Sequence, residues 1–215
     1  MKTLKLIARI VRNTKKSVLR KYHYLYRRLI SPKLPKNADG KVYVNLGAGI
    51  NTSEEYINVD AIYLPHIHHI ANIQDLGMLP NNSVDLLYAS HVVEHLPRKN
   101  LKKTLLEWKR VLKPGGILRF GVPNFDALVE VYTLSGKNTE SIVNQLLGQD
   151  GEYDDHHTIW NEAYARSLLK ELGYKDVSLW DYTKVEHRDF DDKASRVMKA
   201  GGKDILISLN IQAVK

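Results

Sequence analysis

The stretch Val42–Ala61, VYVNLGAGINTSEEYINVDA, decides how the rest of the chain is read. Val42–Leu46 is a short apolar run of strand type, and Tyr56–Asp60 is a second one that closes on an acid. Between them, Gly47 and Gly49 let the backbone pass close under a ligand. A glycine turn after one strand and a carboxylate after the next suit a nucleoside cofactor, because the carboxylate of Asp60 can accept from both vicinal hydroxyls of a ribose. Two phosphate-bridged cofactors are excluded by spacing. The dinucleotide fingerprint needs a third glycine where this chain has Thr52, and no G-x-x-x-x-G-K-[ST] loop exists. The turn therefore fits a nucleoside without a phosphate bridge.

Working outward, strands alternate with helical patterns. His68–Ile73 reads as a weak strand and Ser83–Ser90 as a buried one. Leu101–Leu112 is an amphipathic helix stopped by KPGG, Ile117–Val122 the next strand, Asn124–Ser135 helical, and Asn161–Leu172 a helix ended by Gly173. Val177–Val185 and Ile205–Ala213 alternate in the strand period and predict a closing antiparallel hairpin. The fold class expected is α/β, Rossmann-like: a mostly parallel sheet with helices on both faces. Ligands of such sheets sit at the carboxyl ends of the strands. Only fourteen residues separate Asp60 from Asp75, so the helix between the second and third strands is expected to be reduced or missing.

Charge divides the chain in two. Of 32 Lys and Arg and 24 Asp and Glu among 215 residues, twelve of the basic and none of the acidic lie in residues 1–36. The remainder, 37–215, carries a net of −4, so the basicity belongs to one segment and does not argue for nucleic-acid binding by the body. Residues 3–30 suit a basic amphipathic helix, with Leu4, Ile7, Val11, Val18, Tyr22, Leu25 and Leu29 in one stripe. PKLPKNADGK reads as a linker. The expected domains are thus 1–36, helix and linker, and 37–215, the catalytic body. No apolar run is long enough to span a bilayer and no secretory signal is evident, so a cytoplasmic protein is expected, with a mitochondrial presequence as the alternative reading of the basic start. The chain has no cysteine, which excludes disulfides, thiolate metal sites and a cysteine nucleophile.

VNLGAG, INVDA, IQDLGMLPNNSVDLLYASHVVEHL and WKRVLKPGGILRFGVPN, in this order over residues 41–124, resemble the successive motifs of class I S-adenosylmethionine-dependent methyltransferases. The resemblance implies S-adenosylmethionine as the cofactor. It places Asn45, Gly47, Ala48 and Gly49 at the methionine part, Asp60 at the ribose, and Asp75 at the adenine amino group. Leu76 would offer backbone and an apolar wall, and Ser90 and His91 would line the sulfonium side. Asn45 stands where the family carries an acid, so the contact with the ammonium lacks a charge.

Methyl transfer from a sulfonium is an in-line displacement that needs alignment, exclusion of water and, for a poor nucleophile, removal of a proton. The nucleobase amino-methylase turn [DN]-P-P-[FYW] is absent after the fourth strand, where Ala89-Ser90-His91-Val92 stands. An oxygen or an unactivated nitrogen acceptor remains; a sugar hydroxyl benefits from a base, and the histidines are the candidates. His91 and His156 are the catalytic candidates. Glu94 and His95 read as packing or capping residues of a first helical turn. The segment GEYDDHHTIWNE is either a solvated loop or the cover of the acceptor site. No spacing such as H-x-x-x-H enforces a metal there, and none is assigned. The run HHTIWNEAYARSLLKELGY resembles the tail of a bacterial subgroup associated with surface-polysaccharide biosynthesis, which implies a sugar or glycan acceptor. It favours His156 as base and makes Asp155, His157 and Trp160 acceptor contacts. His66, His68 and His69 read as surface or edge positions. The basic helix suits an anionic membrane surface first, packing on the body second and RNA third. Oligomeric state is left open.

Overall fold

The computed structural model describes residues 22, 33–35, 37–51, 53–149, 154–184 and 192–215. A seven-stranded sheet runs in the order β3-β2-β1-β4-β5-β9-β6. Its members are β1 (Tyr43–Leu46), β2 (Tyr56–Asp60), β3 (His69–Ile70), β4 (Val84–Ser90), β5 (Leu112–Pro123), β9 (Ser208–Val214) and β6 (Lys175–Leu179). The first five are parallel, and β9 lies antiparallel between β5 and β6. A separate hairpin pairs β7 (Val197–Ala200) with β8 (Lys203–Leu206). The expected closing pair therefore forms between β6 and β9, but with this second hairpin inserted in its connection.

The alternation of side chains sorts the sheet into two faces. Val44, Leu46, Val59, Leu87, Ala89, Leu118, Phe120 and Ile211 belong to the main apolar core. Helices α1 (Leu101–Val111) and α4 (Glu162–Glu171) supply the other half of that core. In α1, Leu101, Thr104, Leu105, Trp108 and Val111 are buried, the i, i+3, i+4 stripe that makes an amphipathic helix pack. The opposite face carries Tyr43, Tyr56, Leu86, Tyr88 and Trp180. Among the described residues that face is met by a 3-10 turn, Lys193–Ser195, through Ala194, and by no α-helix. Helix α2 (Phe125–Leu134) and the short α3 (Val143–Leu147) pack instead with the β7–β8 hairpin in a smaller core.

Three local differences from the sequence reading have physical causes. Neither β1–β2 nor β2–β3 is bridged by a described helix, so the short connection expected before Asp75 holds and the one at the glycine turn is equally bare. KPGG does not precede the fifth strand but lies inside it. It bulges between Leu112, paired with Val84, and Ile117, paired with Leu86. A Cβ on Gly116 would sit 2.9 Å from the Lys113 carbonyl oxygen, so only glycine fits this bulge. The third strand shrinks to His69–Ile70. The helix expected over 3–30 lies outside the described residues except for Tyr22, which is helical and exposed. No described helix is long and apolar enough to cross a membrane.

Candidate active site

The strand pairings align Leu46 with Val59 and Ala89, and Ser90 with Gly121, so β1, β2, β4 and β5 end along one edge. The glycine loop opens there. Gly47 and Gly49 both have positive φ, and the Gly47 N–H returns to the Val59 carbonyl at 2.8 Å. The two glycines are needed for different reasons. A Cβ on Gly47 would meet Val92 Cγ2 at 2.5 Å, whereas one on Gly49 would meet nothing nearer than 4.0 Å among the described residues. Gly47 is closed by the turn after β4, and Gly49 leaves open space above the loop.

Asp60 holds this loop. Its Oδ2 accepts from the Gly49 N–H and its Oδ1 from the Ile62 N–H, both at 2.8 Å. Each carboxylate oxygen retains a lone pair, so hydroxyls of a ribose can still be received. Asn45 is buried and donates through Nδ2 to Asn58 Oδ1 at 3.3 Å. Asn58 is tied in turn to His66 and His68: its Nδ2 donates to the His66 carbonyl and its N–H to His68 Nδ1. His66 Nε2 donates to the Gly49 carbonyl at 2.9 Å. His66 and His68 thus brace the glycine loop from the β3 side and are half-buried, while His69 lies in the edge strand, the edge position expected of it. Asp75 is exposed, and its Oδ1 accepts from the Gly77 N–H at 3.0 Å. Leu76 differs from expectation. Its side chain is fully buried, its N–H donates to Glu107 Oε1 at 2.9 Å, and its carbonyl accepts from Arg110. The Glu107–Arg110 pair has taken the backbone groups expected to face the cofactor.

At the end of β4, Ser90 buries a hydroxyl that has no hydrogen-bond partner among the described residues. His91 follows with φ of 52°, a left-handed conformation uncommon for a side chain of its size. Its N–H is held by the Gly121 carbonyl at 2.8 Å. The Asn210 amide donates to the Ala194 carbonyl, the Ser208 hydroxyl donates to Asn210 Oδ1, and Ser208 Oγ therefore accepts from His91 Nε2 at 3.1 Å. His91 Nδ1 lies 3.2 Å from Glu94 Oε1. Nε2 is bound to Ser208 and Nδ1 faces the buried Glu94, so neither ring nitrogen is open to a substrate and His91 acts as a positioning residue. That corrects its expected role as proton acceptor.

Glu94 belongs to the single 3-10 turn Val93–His95 and is completely buried. Neither of its carboxylate oxygens makes a hydrogen bond of good geometry. Burial alone would push this carboxyl up, but His91 and then His95 outweigh it and hold it below the usual carboxylate range. The connection after α3 lays its chain over the same turn. The N–H groups of His157 and Thr158 both donate to the Glu94 carbonyl, at 2.8 and 3.2 Å. This docking brings in His156, whose Nδ1 donates to the Gln145 carbonyl at 3.0 Å and whose Nε2 stands 4.0 Å from Glu94 Oε1. Burial lowers the His156 imidazole below its ordinary range, which favours the neutral form. His95 donates from Nδ1 to the Asp155 carbonyl at 3.1 Å, and its ring meets that of His156 edge-on with centroids 4.8 Å apart.

Of the residues expected at the acceptor, Asp155 and His157 are exposed beside this cluster. Trp160 is not a contact residue. It is 1% exposed, packs edge-on against Phe120 and donates from Nε1 to Thr158 Oγ1. Its place in the core explains why the segment docks in one way. A hollow beside the cluster is lined by His91, His95, Pro123, His156, Lys193 and Arg196. Lys193 and Arg196 come from the insertion between β6 and β9, which the sequence reading did not assign to the site. Glu94 and His95 were read as packing residues. The signal that marks them is His91-x-x-Glu94-His95, a spacing that gathers three such side chains on one turn.

Residues 41–120 match the family model described as a methyltransferase domain. No curated protein sequence matches the chain. Among solved structures, the fold is similar to a SAM-dependent methyltransferase from Archaeoglobus fulgidus, with TM-score 0.50 and 18% identity over 95% of this chain and 94% of that one. It is also similar to a methyltransferase from Thermotoga maritima described as a possible histamine N-methyltransferase, with TM-score 0.51 and 14% identity over 87% and 85%. The fold is thus one shared with S-adenosylmethionine-dependent methyltransferases, and residues 41–120 carry the match to the methyltransferase domain.

Proposed function

We propose that this methyltransferase transfers the methyl group of S-adenosylmethionine to a hydroxyl oxygen, in a sugar of a surface glycan or its precursor. The observation that carries the reading is the buried Glu94 carboxylate facing a neutral His156 at the carboxyl edge of the sheet. A hydroxyl must lose its proton as its oxygen attacks, and a positioned imidazole contributes roughly 10²–10⁴-fold in rate to such a step. The oxygen bonds to the methyl carbon, the carbon–sulfur bond breaks with its electron pair left on sulfur, and the proton passes to His156 Nε2. Glu94 stabilises the imidazolium as it forms, and His91 orients Glu94.

The cofactor would lie over Gly47, Ala48 and Gly49 with its ribose on Asp60, its adenine toward Asp75 and its sulfonium toward Ser90. The open space above Gly49, the remaining lone pairs of Asp60 and the buried Ser90 hydroxyl suit it. Lys193 and Arg196, on the far wall of the hollow, suit an oxygen-rich acceptor. The sequence resemblance of residues 156–174 supports the polysaccharide assignment. The basic segment 3–30 would hold the enzyme at the anionic inner face of a membrane, near lipid-linked sugars, with nucleic acid the disfavoured partner.

The test begins with calorimetric titration by S-adenosylmethionine and S-adenosylhomocysteine, with NAD as control. Micromolar binding of the first two and none of the third is expected. Glycan acceptors should then yield methyl ethers, and His156→Ala should cut turnover about 100-fold with cofactor affinity nearly intact. Methylation of amines in preference to hydroxyls would overturn the oxygen acceptor. Salt-sensitive binding to anionic liposomes, lost on deleting residues 1–36, tests the membrane role.

A further inference from the structure

We propose that Glu94, His95 and His156 form a binding site for a divalent transition cation. The proposal rests on the same cluster as the oxygen-acceptor reading and changes the role of one member. With a cation bound, His156 would be a ligand, and the cation would acidify the acceptor hydroxyl so that its proton is lost to solvent water rather than to the imidazole.

Three independent features point to it. The first is proximity: the potential ligand atoms of the three residues lie within 4.8 Å of one another. Ligands at about 2.1 Å from one cation are at most about 4.2 Å apart, so the widest pair must close by only about half an ångström. The second is tautomer. Backbone carbonyls only accept, so His95 and His156 each carry their proton on Nδ1, facing the Asp155 and Gln145 carbonyls. The second nitrogen of each ring therefore holds a lone pair. An imidazole anchored by Nδ1–H to a carbonyl is the arrangement that orients a metal-ligating histidine. The third is the carboxylate. Glu94 is fully buried, and among the described residues neither oxygen makes a hydrogen bond of good geometry, so a positive partner besides His91 would lower the cost of burying the charge. His91, at 3.2 Å, approaches one of the oxygens and leaves the other untouched.

Two imidazoles and one carboxylate make a borderline donor set that suits Zn²⁺, Co²⁺, Mn²⁺ or Fe²⁺ better than Mg²⁺, which prefers oxygen. Three protein ligands leave coordination positions open, and His95 and His156 also line the hollow.

The test uses the full chain, stripped with a chelator and dialysed, then titrated with Co²⁺ alone. Expected are one Co²⁺ per chain, a visible d–d absorption band, and displacement by Zn²⁺. His95→Ala and His156→Ala should each weaken binding at least tenfold, while the metal-free variants melt like the wild type. Glu94→Gln, which keeps the buried shape, should do the same; it guards against loss of the fold. Binding by the wild type no tighter than by the His95→Ala, His156→Ala double variant would overturn the site. So would full turnover of chelator-treated enzyme, and that result would leave His156 standing as proton acceptor. Because Co²⁺ binding is read without any acceptor, failure of the hydroxyl assignment alone would leave it unchanged.

Discussion

The two halves of the carboxyl edge are built on opposite principles. The glycine-loop half is local and made of backbone: Asp60 reaches Gly49 across eleven positions and Ile62 across two. The histidine half is assembled from distant pieces. Glu94 and His156 are separated by most of α1, β5, α2 and α3, and meet only because residues 156–160 dock across the 3-10 turn. A local half writes itself into a short motif. A non-local half needs the packing beneath it, and the comparison predicts that damage to packing will strike the second half first.

The largest expected effect lies there. Trp160→Ala should destabilise the protein by about 3–5 kcal/mol, read as the free energy of denaturant unfolding. A change confined to acceptor KM would instead return Trp160 to the contact role first expected of it. Gly47→Ala comes next, at about 3 kcal/mol, because positive φ and the overlap with Val92 add. Gly49→Ala has the φ strain alone and should cost about 1–2 kcal/mol. Equal losses would show that the two glycines do not differ as described. Glu94→Gln should lower methyl transfer about 100-fold and change cofactor affinity less than twofold, separating the two halves kinetically. Asp60→Ala should do the reverse, weakening S-adenosylmethionine binding at least tenfold in calorimetry, worth about 1.4 kcal/mol. Unchanged affinity would leave Asp60 as a brace of the loop only.

The smallest effect is that of pH on stability. His156 in the folded chain holds its proton less readily than the ordinary imidazole value of 6.5. The unfolded chain therefore binds the extra proton, and stability falls as pH drops below about 6.5. The lowered Glu94 carboxyl adds to the loss in the same direction, below its ordinary value of 4.5. Thermal unfolding between pH 7.5 and 5 should show the decline, and His156→Ala should flatten its upper part. A melting temperature that rises on acidification over this range would contradict the His156 assignment.

Much of the fold was legible because it is periodic. Tyr56–Asp60 and Leu101–Val111 fall where hydrophobic spacing puts them, since a strand or an amphipathic helix must bury one side at its own period. The hairpin β7–β8 was not, because its exposed and half-exposed residues carry a weak alternation and its buried partners sit on α2. Leu76 illustrates a subtler limit. The motif is where it was expected, but Glu107, one helix away, claims its N–H.

By itself, the sequence determined the alternation of strands and helices from Tyr43 to Leu134, the glycine turn, Asp60 at the second strand's end and the charge division at residue 36. All of these depend on neighbours within a few positions. Only the tertiary structure decided that His91 is engaged at both nitrogens, that Trp160 is core, and that Glu94 is buried against His95 and His156. Those facts are set by which surfaces pack together over long separations, and by how burial changes the state of a carboxylate and an imidazole once water has been removed.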